Sequence, residues 1–270
     1  MKDFTALCLF VFSIFQVGCT NREQSDSKNE VEVFFSEKSF IVSNQTGSEP
    51  LLPPWRSIST QDPNSGERLK YSGYDLAPLL EAIAQKFEIQ SLAGLKIIAK
   101  DGYVLRVSVS DIKKKGAFLA LEVSGIGPQG IYNKSLKDYF DWRPGYVIFL
   151  KSAPDSKTLS SPYQIVKIQL ETSSQSNSKG FLSSLESPYR EGAQIFLDTC
   201  NKCHSYQGEG GMKAPPIGYL TVRWKSDGQL KDFLRDPQKI SGRKIGMSAF
   251  EGSEIELKRL LQFLRYAEKQ

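Results

Sequence analysis

The chain has 270 residues, 40% of them hydrophobic and 24% charged, a composition of the soluble globular kind with room for two domains. Its net charge of +5 is too small to indicate a nucleic-acid surface, so no nucleic-acid partner is expected. One histidine and four cysteines confine any metal or redox chemistry to very few positions.

Lys2 precedes an uncharged apolar run from Phe4 to Gly18, short for a bilayer span and suited to the h-region of an export signal. Its end, Gln16-Val17-Gly18-Cys19, resembles a bacterial lipoprotein cleavage site, with glutamine where leucine is usual. That resemblance implies a signal peptide over residues 1–19, lipidation of Cys19 and a polar tether over 20–30. A cleaved soluble form and an uncleaved N-terminal anchor are the alternatives. Each places the mature protein outside the cytoplasm, and lipidation places it on the periplasmic side of a bacterial membrane.

Residues 31–171 carry mixed signals that predict an α+β domain with a largely antiparallel or mixed sheet. Asp75 predicts a helix start, with Pro78 in the first turn and Leu76, Leu79, Leu80, Ile83 and Phe87 at helical spacing. Strand-like runs surround it at Leu95–Ala99, Val104–Val109, Phe118–Val123, Tyr146–Leu150 and Tyr163–Leu170. Gly125-Ile126-Gly127-Pro128-Gln129-Gly130 fits a dinucleotide fingerprint by letter, but no βαβ unit or suitably spaced acid accompanies it, which predicts a glycine-rich turn. Three stretches, Gly73-Tyr74-Asp75-Leu76-Ala77-Pro78-Leu79-Leu80, Asp101-Gly102-Tyr103 and Leu119-Ala120-Leu121-Glu122, are similar to the molybdopterin-binding domain of the sulfite oxidase family. Ser161-Pro162-Tyr163-Gln164-Ile165-Val166 is similar to versions of that domain fused to a cytochrome c. Such enzymes hold molybdenum through a cysteine thiolate, and between Thr20 and Thr199 this chain has neither cysteine nor histidine. A degenerate scaffold is therefore expected, and no molybdopterin.

Thr172–Ser187 holds seven serines in sixteen residues and predicts a flexible linker over 172–187. Beyond it, Ser187 as N-cap and Pro188 at the first helical position open a helix that leads to Cys200-Asn201-Lys202-Cys203-His204. This spacing is the c-type haem attachment pattern: two thiols form thioethers with the haem vinyl groups, and the next residue supplies the proximal imidazole. It uses the only histidine and every cysteine outside the leader. A redox or disulfide C-x-x-C leaves the histidine unexplained, and a zinc site lacks a second ligand pair. Leu230–Arg235 predicts a short helix. Ser253-Glu254-Ile255-Glu256 forms a capping box ahead of Leu257, Leu260, Leu261 and Leu264, predicting an amphipathic terminal helix.

From Pro188 onward the chain resembles the class I cytochromes c. Gly192, Phe196 and Cys200 follow the family's first-helix pattern, and Leu260 and Phe263 match the facing side of its helix crossing. Gly208-Glu209-Gly210-Gly211 followed by Ala214-Pro215-Pro216-Ile217 is similar to the loop in which a proline carbonyl, here Pro215, accepts from the proximal histidine. Gly246-Met247-Ser248-Ala249-Phe250 resembles the Met-Pro-x-Phe ligand loop with serine in place of proline, which implies Met247 as distal ligand, 43 residues past His204. Met212, too close to His204 to reach the other haem face, is expected to be a packing residue. Trp224, Arg223, Arg243 and Lys244 are weighed as propionate contacts or as solvated side chains.

The expected protein is multidomain: an α+β domain resembling the molybdopterin-binding fold over 31–171 and an all-α cytochrome c domain over 188–270. Its expected function is to carry single electrons between periplasmic or membrane redox proteins, with one covalent haem c and a membrane attachment through the lipid. In it the α+β half is a scaffold that recognises a partner or shields the haem edge. The alternative is an oxidoreductase whose N-terminal half binds a pterin-type cofactor and feeds electrons to the haem; a third reading is a haem sensor in which Met247 is displaced. With both axial positions filled, no catalytic residue is assigned.

Overall fold

The computed structural model describes residues 29–44, 49–134, 137–151, 161–173, 177–242 and 245–270. The leader with Cys19, the tether up to residue 28, and Arg243 and Lys244 lie outside the described residues. No helix among the described residues is long and apolar enough to cross a membrane.

Chain alternation builds the first layer. In β1 (Glu30–Phe35) Val31 and Val33 are buried between less buried neighbours, and a turn at Ser36 returns the chain as β2 (Lys38–Ser43). Strands β3 (Arg56–Gln61) and β4 (Arg68–Asp75) form a hairpin that runs into α1 (Leu76–Lys86). As expected, α1 buries Leu76, Leu79, Leu80 and Ile83, a stripe contributing on the order of 2 kcal/mol per side chain. Asp75 occupies the N-cap position, yet its carboxylate makes no cap bond and instead accepts from Arg56 Nε at 2.6 Å.

The chain continues through β5 (Leu92–Ala99) and β6 (Val104–Ser108). Val109, expected at the end of a strand, opens α2 (Val109–Lys115), because Ser108 Oγ accepts from the Asp111 amide as an N-cap and Gly116, at φ 64°, closes the helix. Next come β7 (Ala117–Ser124), β8 (Ile131–Asn133), β9 (Asp138–Phe140), β10 (Tyr146–Phe149) and β11 (Ile165–Thr172). Gly125 to Gly130 forms the expected glycine-rich turn between β7 and β8, with Gly125 and Gly130 both at positive φ.

One sheet has the order β2-β1-β11-β5-β6 and is mixed, since β1 runs parallel to β11 while its other neighbours are antiparallel. A second sheet, β10-β7-β4-β3, is antiparallel throughout. β7 is buried on both faces. Ala117, Leu119 and Leu121 join α1 and the mixed sheet in one apolar cluster, while Phe118 and Ala120 face a second with Tyr71, Tyr146, Phe140 and Trp142.

Between β3 and β4, Asp62 is 1% exposed and accepts hydrogen bonds from the Asn64 and Ser65 amides at 2.9 and 2.6 Å and from the Tyr71 and Tyr146 hydroxyls at 2.7 and 2.8 Å. Burial, reinforced by this carboxylate, pushes both tyrosines well above the ordinary phenol range. Asp62→Ala is expected to orphan these donors and cost about 2–4 kcal/mol, read as a lower denaturant midpoint.

The helical part begins earlier than expected. The predicted linker contains α3 (Asn177–Ser184), and Phe181, Leu182 and Leu185 pack on the C-terminal apolar cluster. α4 (Ser187–Thr199) takes Glu186 rather than Ser187 as its N-cap residue, placing Pro188 in the first turn. A small hairpin, β12 (Ser205–Tyr206) with β13 (Glu209–Gly210), interrupts what was expected to be all-α. α5 (Ile217–Arg223), α6 (Asp227–Arg235), α7 (Pro237–Ser241) and α8 (Glu254–Ala267) complete the chain. α8 carries the expected capping box, Ser253 N–H donating to Glu256 Oε2 at 2.8 Å and Glu256 N–H to Ser253 Oγ at 3.3 Å. It crosses α4 at Gly192, where a Cβ would stand 2.1 Å from the Arg259 carbonyl oxygen, and the Phe196 and Phe263 rings meet beside the crossing at 5.5 Å. The fold is thus mixed α/β, with several sheets and, among the described residues, eight helices.

Candidate functional site

α4 ends by delivering Cys200 into a further turn. Cys200 N–H still donates to the Phe196 carbonyl at 2.8 Å, while Cys203 and His204 N–H donate to the Cys200 carbonyl at 3.1 and 2.9 Å. This helical continuation places Cys200 and His204, four residues apart, on one face. Both thiols are free and half-buried, and Cys200 packs on the same apolar cluster as Met247, Trp224 and Phe250. Burial pushes the Cys200 thiol up to about 11 and raises Cys203 too. Thiols so held are protonated at neutral pH, the opposite of the depressed pKa that a redox C-x-x-C uses.

His204 is 6% exposed, and its Nδ1 lies 2.7 Å from the Pro215 carbonyl oxygen. A carbonyl only accepts, so Nδ1 carries the proton and the Nε2 lone pair is available to a metal. Burial lowers the histidine pKa more strongly than the Pro215 bond raises it, keeping the ring neutral and able to ligate. The loop that sets Pro215 is knitted to the motif by Gly211 N–H to Asn201 O at 2.8 Å and Ala214 N–H to Cys203 O at 2.9 Å. Close approach excludes side chains there: a Cβ on Gly210, at φ 113°, would meet the Asn201 side chain at 2.0 Å, and one on Gly211 would meet the Lys202 carbonyl oxygen at 2.1 Å.

Met247 is half-buried against the cluster that holds Cys200 and Trp224. The loop lacks proline at Ser248, and Gln238 braces it instead. Gln238 Oε1 accepts from Ile245 N–H at 2.8 Å, and its Nε2 donates to the carbonyls of Ile245 and Met247 at 2.5 and 3.3 Å. Arg235 adds bonds to the Phe250 and Gly252 carbonyls at 2.7 and 2.6 Å. Neither brace was readable from the sequence, because both reach across from α6 and α7 to backbone atoms. Met212 is a correction: its side chain is 82% exposed, so it is not the packing residue expected.

Trp224 Nε1 is buried without a hydrogen-bond partner while its ring stacks on Phe233 at 4.7 Å, with the Arg223 guanidinium 5.4 Å from the ring centroid. A buried indole donor without an acceptor fits an anionic group such as a haem propionate. A cavity of about 320 Å³ is lined by Arg106, Phe181, Phe196, Asn201 and Tyr206 among others, and is bounded by none of Cys200, Cys203, His204 or Met247. Among the described residues no three His, Cys, Asp or Glu side chains are grouped to hold a bare metal ion.

The chain matches no protein-family model and no curated protein. The resemblances to class I cytochromes c and to the sulfite oxidase family therefore rest on the residues quoted for them.

Proposed function

We propose that this chain is an exported, lipid-anchored monohaem c-type cytochrome that carries single electrons between periplasmic or membrane redox proteins, with its α+β half as a recognition scaffold. The observation that carries this reading is the one-turn arrangement of Cys200, Cys203 and His204 with the imidazole Nδ1 tied to Pro215. Cys200 and Cys203 would hold haem c as thioethers, His204 Nε2 and Met247 Sδ would ligate its iron, and Trp224 Nε1 would donate to a propionate. When bound, the haem supplies a one-electron couple.

The chain's own residues do the rest. Pro215 fixes the tautomer and orientation of His204 and raises its basicity. Gln238 and Arg235 hold the Met247 loop, and the Phe196, Leu260 and Phe263 packing excludes water from the C-terminal core. With His204 and Met247 both committed to holding it, the group would supply electron transfer rather than catalysis.

Met247→Ala is expected to abolish the far-red absorption band of methionine-ligated ferric haem and to lower the reduction potential, whereas Met212→Ala changes neither. The reverse pattern would overturn the ligand assignment. Metal analysis of protein from its native host is expected to give iron without molybdenum; molybdenum stoichiometric with iron would replace the scaffold reading with that of a pterin-binding oxidoreductase.

A further inference from the structure

The β5–β6 turn of the α+β half is built for contact with the haem-motif loop. Asp101 Oδ1 accepts from Tyr103 N–H at 3.0 Å, and Gly102, at φ 83°, closes the turn with a bond from its N–H to the Ala99 carbonyl at 3.0 Å. Two backbone hydrogen bonds then cross between the halves of the chain. Val104 N–H donates to the Lys202 carbonyl at 2.8 Å, and Met212 N–H donates to the Gly102 carbonyl at 2.8 Å. Lys213 Nζ pairs with Asp101 Oδ2 at 2.7 Å, and Arg106 on β6 pairs with Glu209 on β13. The contact is tight at its centre, since a Cβ on Gly102 would stand 2.9 Å from the Met212 carbonyl carbon and 3.0 Å from the Lys213 nitrogen.

Lys202 and Met212 bracket His204, and Met212–Lys213 leads through Ala214 directly to Pro215. The turn therefore grips the haem motif at Lys202 and, at Met212, the segment that leads into Pro215, whose carbonyl orients the proximal imidazole. Resting on the haem assignment above, we propose that the Asp101–Val104 turn is a latch from the α+β half that positions Pro215 against His204, with Gly102 as the positioning residue that admits the close approach. The scaffold half is then part of the redox centre's tuning, beyond recognising partners. Loosening the latch lets the Pro215 carbonyl recede, weakens the hydrogen bond to Nδ1 and makes the imidazole a poorer donor. The oxidised iron loses more stabilisation than the reduced iron, so the potential rises.

The test uses the full haem-loaded chain and Gly102→Val. Hydrogen exchange is expected to accelerate about tenfold or more at the Met212 and Val104 amides, as loss of their two cross-domain bonds requires. The midpoint potential is expected to rise and the iron–histidine stretching frequency to fall, with the Met247 band retained. Faster exchange with an unmoved potential and unmoved iron–histidine frequency would overturn the positioning role; unchanged exchange would overturn the latch itself. If Gly102→Val does not fold, Asp101→Lys serves. It sets two cations together and is expected to move the same readouts in the same directions, and adding Lys213→Asp is expected to restore them. Failure of that swap to restore them overturns the proposal. A protein that matures without covalent haem but retains protected Met212 and Val104 amides would instead refute the haem assignment while leaving the cross-domain contact standing.

Discussion

Serine at both Cys200 and Cys203 is expected to produce a chain that loses its haem on denaturation. Oxygen at these positions forms no thioether, so only His204 and Met247 would hold the group, and both ligands are released when the fold opens. The thiols are well placed for the role and poorly placed for others. Each is half-buried and kept protonated by its surroundings, which disfavours thiolate chemistry in the folded chain. On a denaturing gel the native protein should stain for haem and the double variant should not, with Cys203→Ser alone strongly impaired. Staining of the double variant equal to that of the native chain would exclude thioether attachment at this motif.

The second large effect is expected at Gly192. A Cβ there would lie 2.1 Å from the Arg259 carbonyl oxygen and 2.8 Å from Phe263 Cβ, distances no repacking of one side chain can relieve because one obstacle is backbone. Gly192→Val must force α4 and α8 apart. The crossing anchors Phe196, Phe263 and Leu260, each 1% exposed or less, and the Tyr189–Tyr266 stack at 4.3 Å sits beside it. A cost of about 3 kcal/mol, at the upper end for overpacking, is expected as a lowered denaturant midpoint. Since α4 also delivers Cys200, covalent haem yield should fall with it. A midpoint equal to that of the native protein would show that the helices can separate at this point without penalty.

The helical half was readable where local chemistry decides the outcome. Ser253 and Glu256 cap α8 reciprocally, Pro188 sits in the first turn of α4, and Gly192 with Phe196 marks a buried face; each signal operates within one turn of helix. α3 escaped notice because serine dominates its composition, while its packing depends on only Phe181 and Leu182, with Leu185 just beyond. In the α+β half, the runs giving β5, β6, β7, β10 and β11 were legible, but β1 to β4, β8 and β9 were not assigned. β3 is a largely exposed strand with little apolar alternation, and the parallel pairing of Val33 with Ile168 joins residues far apart in sequence. Val109 read as strand because alternation continues through it, but the Ser108 cap won locally.

At the site, the Cys200-to-His204 motif was legible because its spacing is chemical, whereas Pro215 was implied only by the resemblance of its loop to that of the class I cytochromes c. The braces were not: Gln238 and Arg235 act on main-chain carbonyls of a distant loop, and the Asp101-Gly102-Tyr103 turn meets the motif only through folding of the whole chain. Met212 went wrong for a related reason. Its backbone is engaged by Gly102, which leaves the thioether side chain projecting outward, an arrangement that residue type alone does not encode.

The most direct measurement is the intact mass of the chain matured in a host competent for c-type haem attachment, followed by mass mapping of the peptide spanning Cys200 to His204. An increment of one haem located on that peptide, resistant to acidic organic solvent, is the expected result. A bare polypeptide mass, or pigment that extracts completely, would contradict it.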